Sequence, residues 1–142
     1  CEVGAIALDC PRPLRQALKR YGLNFGIGFQ MIDDYLDIMS TERQLGKPIG
    51  LDIRVGEPTL PLLFLQGRDQ ETLRDIFVKA RNNKKYMASL KRLLISAGVP
   101  EKTKRVIAEY TDRAKESLSA CKESEFKESL IALVDLVLKF PS

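Results

Sequence analysis

The chain has 142 residues, of which 44% are apolar and 30% charged, and its formal net charge is +4. These values are typical of one globular domain with a real core, and the lack of any histidine excludes a Ser-His-Asp triad and histidine-ligated zinc or iron. The net charge is small and no nucleic-acid recognition motif accompanies it, which disfavours nucleic-acid binding. No apolar run is long enough to span a membrane. Three unpatterned cysteines argue against a disulfide framework and favour a reducing, cytoplasmic location.

In chain order, the sequence predicts helices almost throughout. Apolar residues recur at spacings of three and four, and no segment alternates as a half-buried strand would. The predicted helices span about residues 2–9, 13–40, 60–65, 69–81, 83–97, 101–120 and 123–139. The predicted fold class is therefore all-α, with residues 1–142 forming a single all-α region.

Residues 41–58 interrupt the helical pattern. They contain three glycines and two prolines, which predicts a loop. A loop of this length in a compact domain is usually functional. Because Lys47 lies in it, shortly after the aspartates of the long helix, we predict an active-site loop here.

Two C-terminal helices have a predicted core face. In the helix predicted over 101–120, this face consists of Val106, Tyr110, Ala114 and Leu118. In the helix predicted over 123–139, it consists of Phe126, Leu130, Val137 and either Leu133 or Val134.

The long helix predicted over 13–40 carries one polar stripe on an otherwise apolar surface, which is typical of a buried helix. At 100° per residue, Gln30, Asp33 and Asp37 fall within roughly 80° of one another, with Asp34 about 40° beyond. Burying unpaired carboxylates is costly, and like charges at i and i+4 repel. A cation is therefore expected against this inward-facing stripe. Mg²⁺ is the natural candidate, because it needs only one or two carboxylates plus phosphate oxygens and water.

The stripe lies within a longer set of motifs. Residues 29–37 read FQMIDDYLD and fit FQ-x-x-DD-x-x-D, residues 45–53 contain GK-x-x-G-x-D, and residues 56–63 contain G-x-x-T-L-P-L. Together they resemble the second aspartate-rich motif and the following segments of the trans-isoprenyl (polyprenyl) diphosphate synthases. The resemblance covers nearly the whole chain. It implies the C-terminal half of the isoprenoid-synthase helical fold, with its long central helix.

The resemblance implies a Mg²⁺-dependent prenyltransferase. In that family an allylic diphosphate is held by three Mg²⁺ ions between two aspartate-rich helices. It ionises, and the allylic cation is attacked by isopentenyl diphosphate before a proton is lost. By matching position, Asp33 and Asp37 would hold the third Mg²⁺, directly or through water, and Asp34 would support that shell.

The same match assigns three residues to the substrates. Lys47 would contact the allylic diphosphate, Gln30 would point its amide oxygen at developing positive charge, and Phe29 would line the isopentenyl site. The resemblance also implies a homo-oligomer. The Gly-Lys-Pro and Thr-Leu-Pro-Leu sequences resemble those of enzymes that make a geranylgeranyl or longer-chain product rather than farnesyl diphosphate.

Two differences from the family pattern bear on these roles. Glu57 stands where the family often has lysine, which removes a second lysine–diphosphate contact from this segment. Nothing in the chain matches the family's first aspartate-rich motif or its upstream basic residues. We therefore expect the chain to be part of a larger protein or to need a partner subunit. We also expect it to be inactive alone and to expose apolar surface along residues 2–8 and 25–39.

Three alternatives stay open at this point. The first is a helical structural domain whose aspartates form a solvated helix end. The second is a non-catalytic subunit or regulator derived from a polyprenyl synthase. The third is a terpene cyclase or squalene-type synthase on the same fold, which the Phe-Gln and Gly-Lys flanks of the motif disfavour.

Overall fold

The computed structural model describes residues 1–57, 59–65, 70–81 and 83–139. Within these ranges the regular structure is helical, and no strand is present. The helices are α1 (Glu2–Ala7), α2 (Arg12–Met39), α3 (Glu42–Leu45), α4 (Leu51–Val55), α5 (Leu60–Leu63), α6 (Gln70–Ala80), α7 (Lys84–Ser96), α8 (Val99–Ser117) and α9 (Glu125–Leu138), with a 3₁₀ turn at Leu118–Ala120. The all-α prediction is confirmed.

Most predicted helix boundaries agree with the structure to within two residues. The helix predicted from residue 101 begins earlier, at Val99, because Pro100 is tolerated in a first helical turn. Its predicted end at residue 120 falls in the 3₁₀ turn that follows α8. The predicted start of α6 at residue 69 lies outside the described residues.

The segment predicted as a loop contains two short helices, so that part of the prediction is wrong. Thr41 and Gln44 form a capping box at the start of α3, and Gly46 ends this helix at φ 65°. Gly50, at φ 72°, precedes α4, and Gly56, at φ 86°, ends it. The glycines that suggested a loop are helix caps, because they adopt the left-handed backbone conformation that other residues avoid.

The described residues divide into two compact units. The first contains Cys1–Gln30 and the chain from Val106 onward, and the second contains Met31–Arg105. Helices α2 and α8 each contribute residues to both.

The first unit has a small apolar core. It is formed by the buried residues Tyr21, Ala114, Leu118 and Val134, with Leu130 and Ile131 packed against them. The Tyr21 hydroxyl donates to the carbonyl of Leu130 at 2.9 Å. This anchors α9 to α2.

The predicted core face of α9 is partly wrong. Phe126 is 74% exposed and Leu133 is 42% exposed, whereas Val134 is fully buried. The face that reaches the core is centred between Leu130 and Ile131, and Phe126 points about 90° away from it. The choice left open between Leu133 and Val134 is thus resolved in favour of Val134.

The core of the second unit is larger. Its buried residues are Ile38, Ile53, Leu65, Ala80, Leu90, Leu94 and Val99. They come from α2, α4, α6, α7 and the start of α8, and from Leu65 just after α5. The segment predicted as a loop is thus part of the core through Ile53.

Helices α1 and α2, and Leu8 just after α1, expose several apolar side chains. Val3 is 79% exposed, Leu8 80%, Leu23 60% and Phe29 52%. This agrees with the exposed apolar surface expected over residues 2–8 and at Phe29. It contradicts the expectation that α2 is buried all round, which holds for Ile32, Tyr35 and Ile38 but not for its middle. Among the described residues, none of the helices has both the length and the apolar content needed to cross a bilayer.

Candidate functional site

The structure brings Asp33 and Lys47 together in the second unit. The Nζ atom of Lys47 donates to Asp33 Oδ1 at 3.2 Å, and each side chain is 48% exposed. The segment after α2 therefore folds back against the helix that carries the aspartates. A half-exposed ion pair of this kind contributes little to stability. Both groups can thus exchange partners when a ligand arrives.

Asp37 has a different environment. It is only 4% exposed. Its Oδ1 accepts from the backbone N–H of Leu51 and its Oδ2 accepts from that of Asp52, both at 3.2 Å. Both oxygens are thus bonded to the first turn of α4. The sequence-based expectation that Asp37 faces inward agrees with this burial, and its role as a metal ligand stays a prediction.

Negative charge accumulates where α2 and α4 meet. Burial raises the pKa of the Asp52 carboxyl, and neighbouring carboxylates raise it further, namely those of Asp37, Asp34, Glu57 and Asp33. Carboxylates gathered in this way favour a cation beside them. Sequence reasoning did not include Asp52 among the site residues, although its place in the GK-x-x-G-x-D pattern is a signal that could have found it.

Lys91 on α7 is a second functional candidate that the sequence did not reveal. Its Nζ donates to the carbonyl of Ser40, just after the end of α2, at 2.6 Å. Burial lowers the pKa of this ammonium group, and the nearby Asp37 carboxylate opposes that shift. The separation of 51 residues between donor and acceptor explains why no local pattern predicts this contact.

The donor chemistry fits Mg²⁺ in part. Among the described residues, no group of three or more acidic or cysteine side chains converges closely enough to hold a metal ion. Asp33 is half-exposed and Asp34 is partly buried. Two carboxylates suit an ion that takes its other ligands from phosphate oxygens and water. A metal at this position would therefore need a phosphate-bearing ligand.

Phe29 and Gln30 belong to the first unit, and both side chains are exposed. The sequence predicted that Gln30 faces inward with the aspartates, and this is wrong for the described chain. Asp34 and Asp37 satisfy the same expectation, since the first is partly and the second almost fully buried. The polar stripe thus runs from an exposed end at Gln30 to a buried end at Asp37.

The fold and the site define an all-α protein in which a long helix presents carboxylates to a lysine-bearing segment. The family model for polyprenyl synthetase matches residues 1–94. A short chain isoprenyl diphosphate synthase of Methanothermobacter thermautotrophicus is 35% identical over 125 residues, which cover 87% of this chain and 38% of that protein. Heptaprenyl diphosphate synthase component 2 of Geobacillus stearothermophilus is 45% identical over 64 residues, covering 45% of this chain and 20% of that protein.

A solved structure supports the same relationship. The polyprenyl synthase of Caulobacter crescentus, complexed with calcium and isoprenyl diphosphate, superposes with a TM-score of 0.84 at 32% identity. The match covers 99% of this chain and 44% of that one. The chain belongs to the polyprenyl synthetase family, and it spans about two fifths of the length of the curated relatives it matches.

Proposed function

We propose that this chain forms part of a Mg²⁺-dependent trans-prenyltransferase that condenses an allylic diphosphate with isopentenyl diphosphate. The observation that carries the proposal is the contact between Lys47 Nζ and Asp33 Oδ1 at 3.2 Å. In this proposal, Lys47 is the cation that contacts phosphate and Asp33 is the carboxylate that holds the metal. A related structure supports such ligands, since the Caulobacter crescentus protein was solved with calcium and isoprenyl diphosphate.

Asp33 and Asp34 are the residues that would hold the metal. Bound Mg²⁺ supplies charge neutralisation for the departing diphosphate. With Mg²⁺ held there, Asp33 would not need Lys47 as its partner, and the lysine would be available to contact the diphosphate as a point charge. Burial and the crowding of carboxylates together raise the pKa of Asp52, and a cation held by Asp33 and Asp34 would offset that crowding.

The remaining roles follow from family membership. Lys47 neutralises charge on the allylic diphosphate, which favours departure of the leaving group in a water-poor site. Gln30 stabilises developing positive charge through its amide oxygen, and Phe29 lines the isopentenyl site. A geranylgeranyl or longer product, a homo-oligomeric assembly and a cytoplasmic location are further parts of the proposal. The free state of all three cysteines is consistent with that location.

A second candidate function is a non-catalytic subunit of a two-component synthase. It is favoured by the exposed apolar side chains of α1 and α2, including Val3, Leu8 and Phe29, because patches of this kind mark protein contacts. The similarity to heptaprenyl diphosphate synthase component 2 favours a two-component arrangement. In either case, the rest of the fold or a partner subunit would cover these side chains.

One experiment distinguishes the two candidates. The complete protein encoded by the gene is assayed for incorporation of radiolabelled isopentenyl diphosphate into an allylic diphosphate, with Mg²⁺ and after chelation with EDTA. Metal-dependent incorporation supports the enzyme. If incorporation requires a second synthase chain from the same source, the protein is a subunit. No incorporation in either arrangement would contradict both proposals.

The isolated 142-residue chain provides a further test. We expect it to be inactive and to self-associate, because its exposed apolar side chains lack a cover. Light scattering and the same transfer assay measure these two properties. A monomer that elongates allylic diphosphates would show that this chain alone holds a complete site.

A further inference from the structure

We infer that Asp37 is a positioning residue, whose carboxylate caps α4 from α2 and so fixes the segment that carries Lys47 and Asp52. The start of α4 has backbone N–H groups that lack a side-chain cap from the preceding residue. The first backbone N–H groups of any helix have no acceptor within the helix. They are usually satisfied by a side chain at the preceding position. That position is Gly50, which makes no side-chain cap.

The backbone at Gly50 disfavours a side chain that would cap α4 locally. Its φ angle is 72°, a conformation that L side chains rarely adopt. An added Cβ would also meet the end of the flexible Met87 side chain, which would have to move. The capping group must therefore come from elsewhere in the chain.

Asp37 supplies that group with both carboxylate oxygens. Oδ1 accepts from Leu51 N and Oδ2 accepts from Asp52 N, each at 3.2 Å. The main-chain carbonyl of Asp37 also accepts from Gly50 N at 2.9 Å. Three hydrogen bonds thus connect one residue of α2 to three consecutive residues at the start of α4.

Burial distinguishes Asp37 from Asp33. Asp37 is 4% exposed, whereas the Asp33 side chain is 48% exposed. The partner of Asp33 is the side-chain ammonium group of Lys47 rather than backbone N–H groups. A metal bound to Asp37 would have to replace charge-assisted bonds to backbone N–H groups, which are among the stronger hydrogen bonds in proteins. The aspartates of the motif therefore have two different roles. Asp33 and Asp34 face the ligand, and Asp37 holds the segment in place.

Hydrogen–deuterium exchange tests the positioning role without reference to activity. In the complete protein, we expect Asp37→Ala to accelerate exchange at the Leu51 and Asp52 amides by about tenfold or more, because both lose an ionised acceptor. Asp37→Asn should give an intermediate acceleration, since its amide keeps one acceptor oxygen. Asp33→Asn is the matched control and should leave these amides unchanged. Amides of α9, in the other unit, report any global unfolding.

A metal titration tests the division of roles, and this arm rests on the proposed function. Asp33→Asn should raise the Mg²⁺ concentration that gives half-maximal activity, whereas Asp37→Asn should lower kcat with little change in that concentration. Unchanged exchange at both amides in Asp37→Ala overturns the capping role, whatever the activity. Exchange that accelerates as expected, together with a metal midpoint shifted equally in both asparagine variants, overturns the division of roles. If the complete protein has no transferase activity, the exchange arm alone decides the inference.

Discussion

The two units of the chain bury polar groups in different ways. In the first unit, two buried hydroxyls of α8 bond back to their own helix, while that of Tyr21 bonds across to α9. Thr111 Oγ1 donates to the carbonyls of Ile107 and Ala108, and Ser117 Oγ donates to that of Arg113. In the second unit, two buried polar groups, the carboxylate of Asp37 and the carbonyl of Ser40, join separate segments. Asp37 bonds to α4 across 14 and 15 residues, and Ser40 accepts from Lys91 across 51 residues.

This difference indicates what each unit needs from its sequence. A hydroxyl bonded within its own helix adds little that an apolar side chain of the same size would lack. A polar bond between distant segments fixes the position of one segment relative to another, and leaves a buried group unsatisfied when it is removed. Apolar packing should therefore dominate in the first unit. In the second unit, charged contacts should control both local structure and activity.

The largest expected effect is on the apolar core of the first unit. Leu118 is fully buried against Tyr21 and Val134. Leu118→Ala should lower the free energy of unfolding by about 2–5 kcal/mol, because it loses buried methyl groups and leaves a cavity. The control is Phe126→Ala, which should change stability by less than about 0.5 kcal/mol, because Phe126 is 74% exposed. Urea denaturation of the complete protein measures both, and equal losses would contradict this assignment of the core.

The next effect is on the acidic motif of the second unit. Asp33→Ala should cut turnover by roughly 10²-fold or more, a loss comparable to removing one preorganised electrostatic contact. The melting temperature should change little, because the Asp33–Lys47 pair is half-exposed. Incorporation of labelled isopentenyl diphosphate measures the turnover.

Asp135 offers a matched control for Asp33. It is also a half-exposed aspartate paired with a lysine, Lys115, but it lies in the first unit. Asp135→Ala should leave turnover near normal. A near-normal rate in Asp33→Ala, or an equal loss in both variants, would contradict the role given to the motif.

The same contrast explains which features could be predicted from the sequence. Helices α2, α6, α7, α8 and α9 follow from apolar periodicity, and the motif at Asp33 and Asp34 from its fixed spacing. Both signals are local. The segment after α2 was predicted as a loop because glycine has the same local signal whether it ends a helix or forms an open turn. The tertiary cap of α4 by Asp37 decides between these outcomes.

Other errors have the same physical origin. Phe126 and Leu133 have the apolar character and approximate spacing of core residues, but the packing angle of α9 selects a face centred between Leu130 and Ile131. Lys91 carries no local signal at all, because its acceptor lies 51 residues away. Sequence periodicity gives the existence of a helix more reliably than the direction in which it faces.

A smaller effect is expected at Lys47. Lys47→Ala should raise the KM for the allylic diphosphate about tenfold, and change the KM for isopentenyl diphosphate less, because one exposed point charge is lost from one diphosphate site. Steady-state kinetics with each substrate varied separately measures the two constants. Lys115→Ala, in the first unit, serves as the control. A larger change in the isopentenyl constant would assign Lys47 to the other substrate.

The smallest effect, and the sharpest test of the comparison, is expected at Thr111. Its hydroxyl donates only to carbonyls of its own helix, whereas its methyl group faces the backbone of Gly28, where an added Cβ would lie 3.3 Å from Thr111 Cγ2. Thr111→Val keeps that methyl group and should change the free energy of unfolding by less than about 1 kcal/mol. Lys91→Met is the counterpart in the second unit, and should cost about 1–3 kcal/mol, because the Ser40 carbonyl loses its charged donor. Urea midpoints of the two variants measure the difference. If Thr111→Val proves as destabilising as Lys91→Met or more so, the distinction between local and connecting hydrogen bonds does not hold.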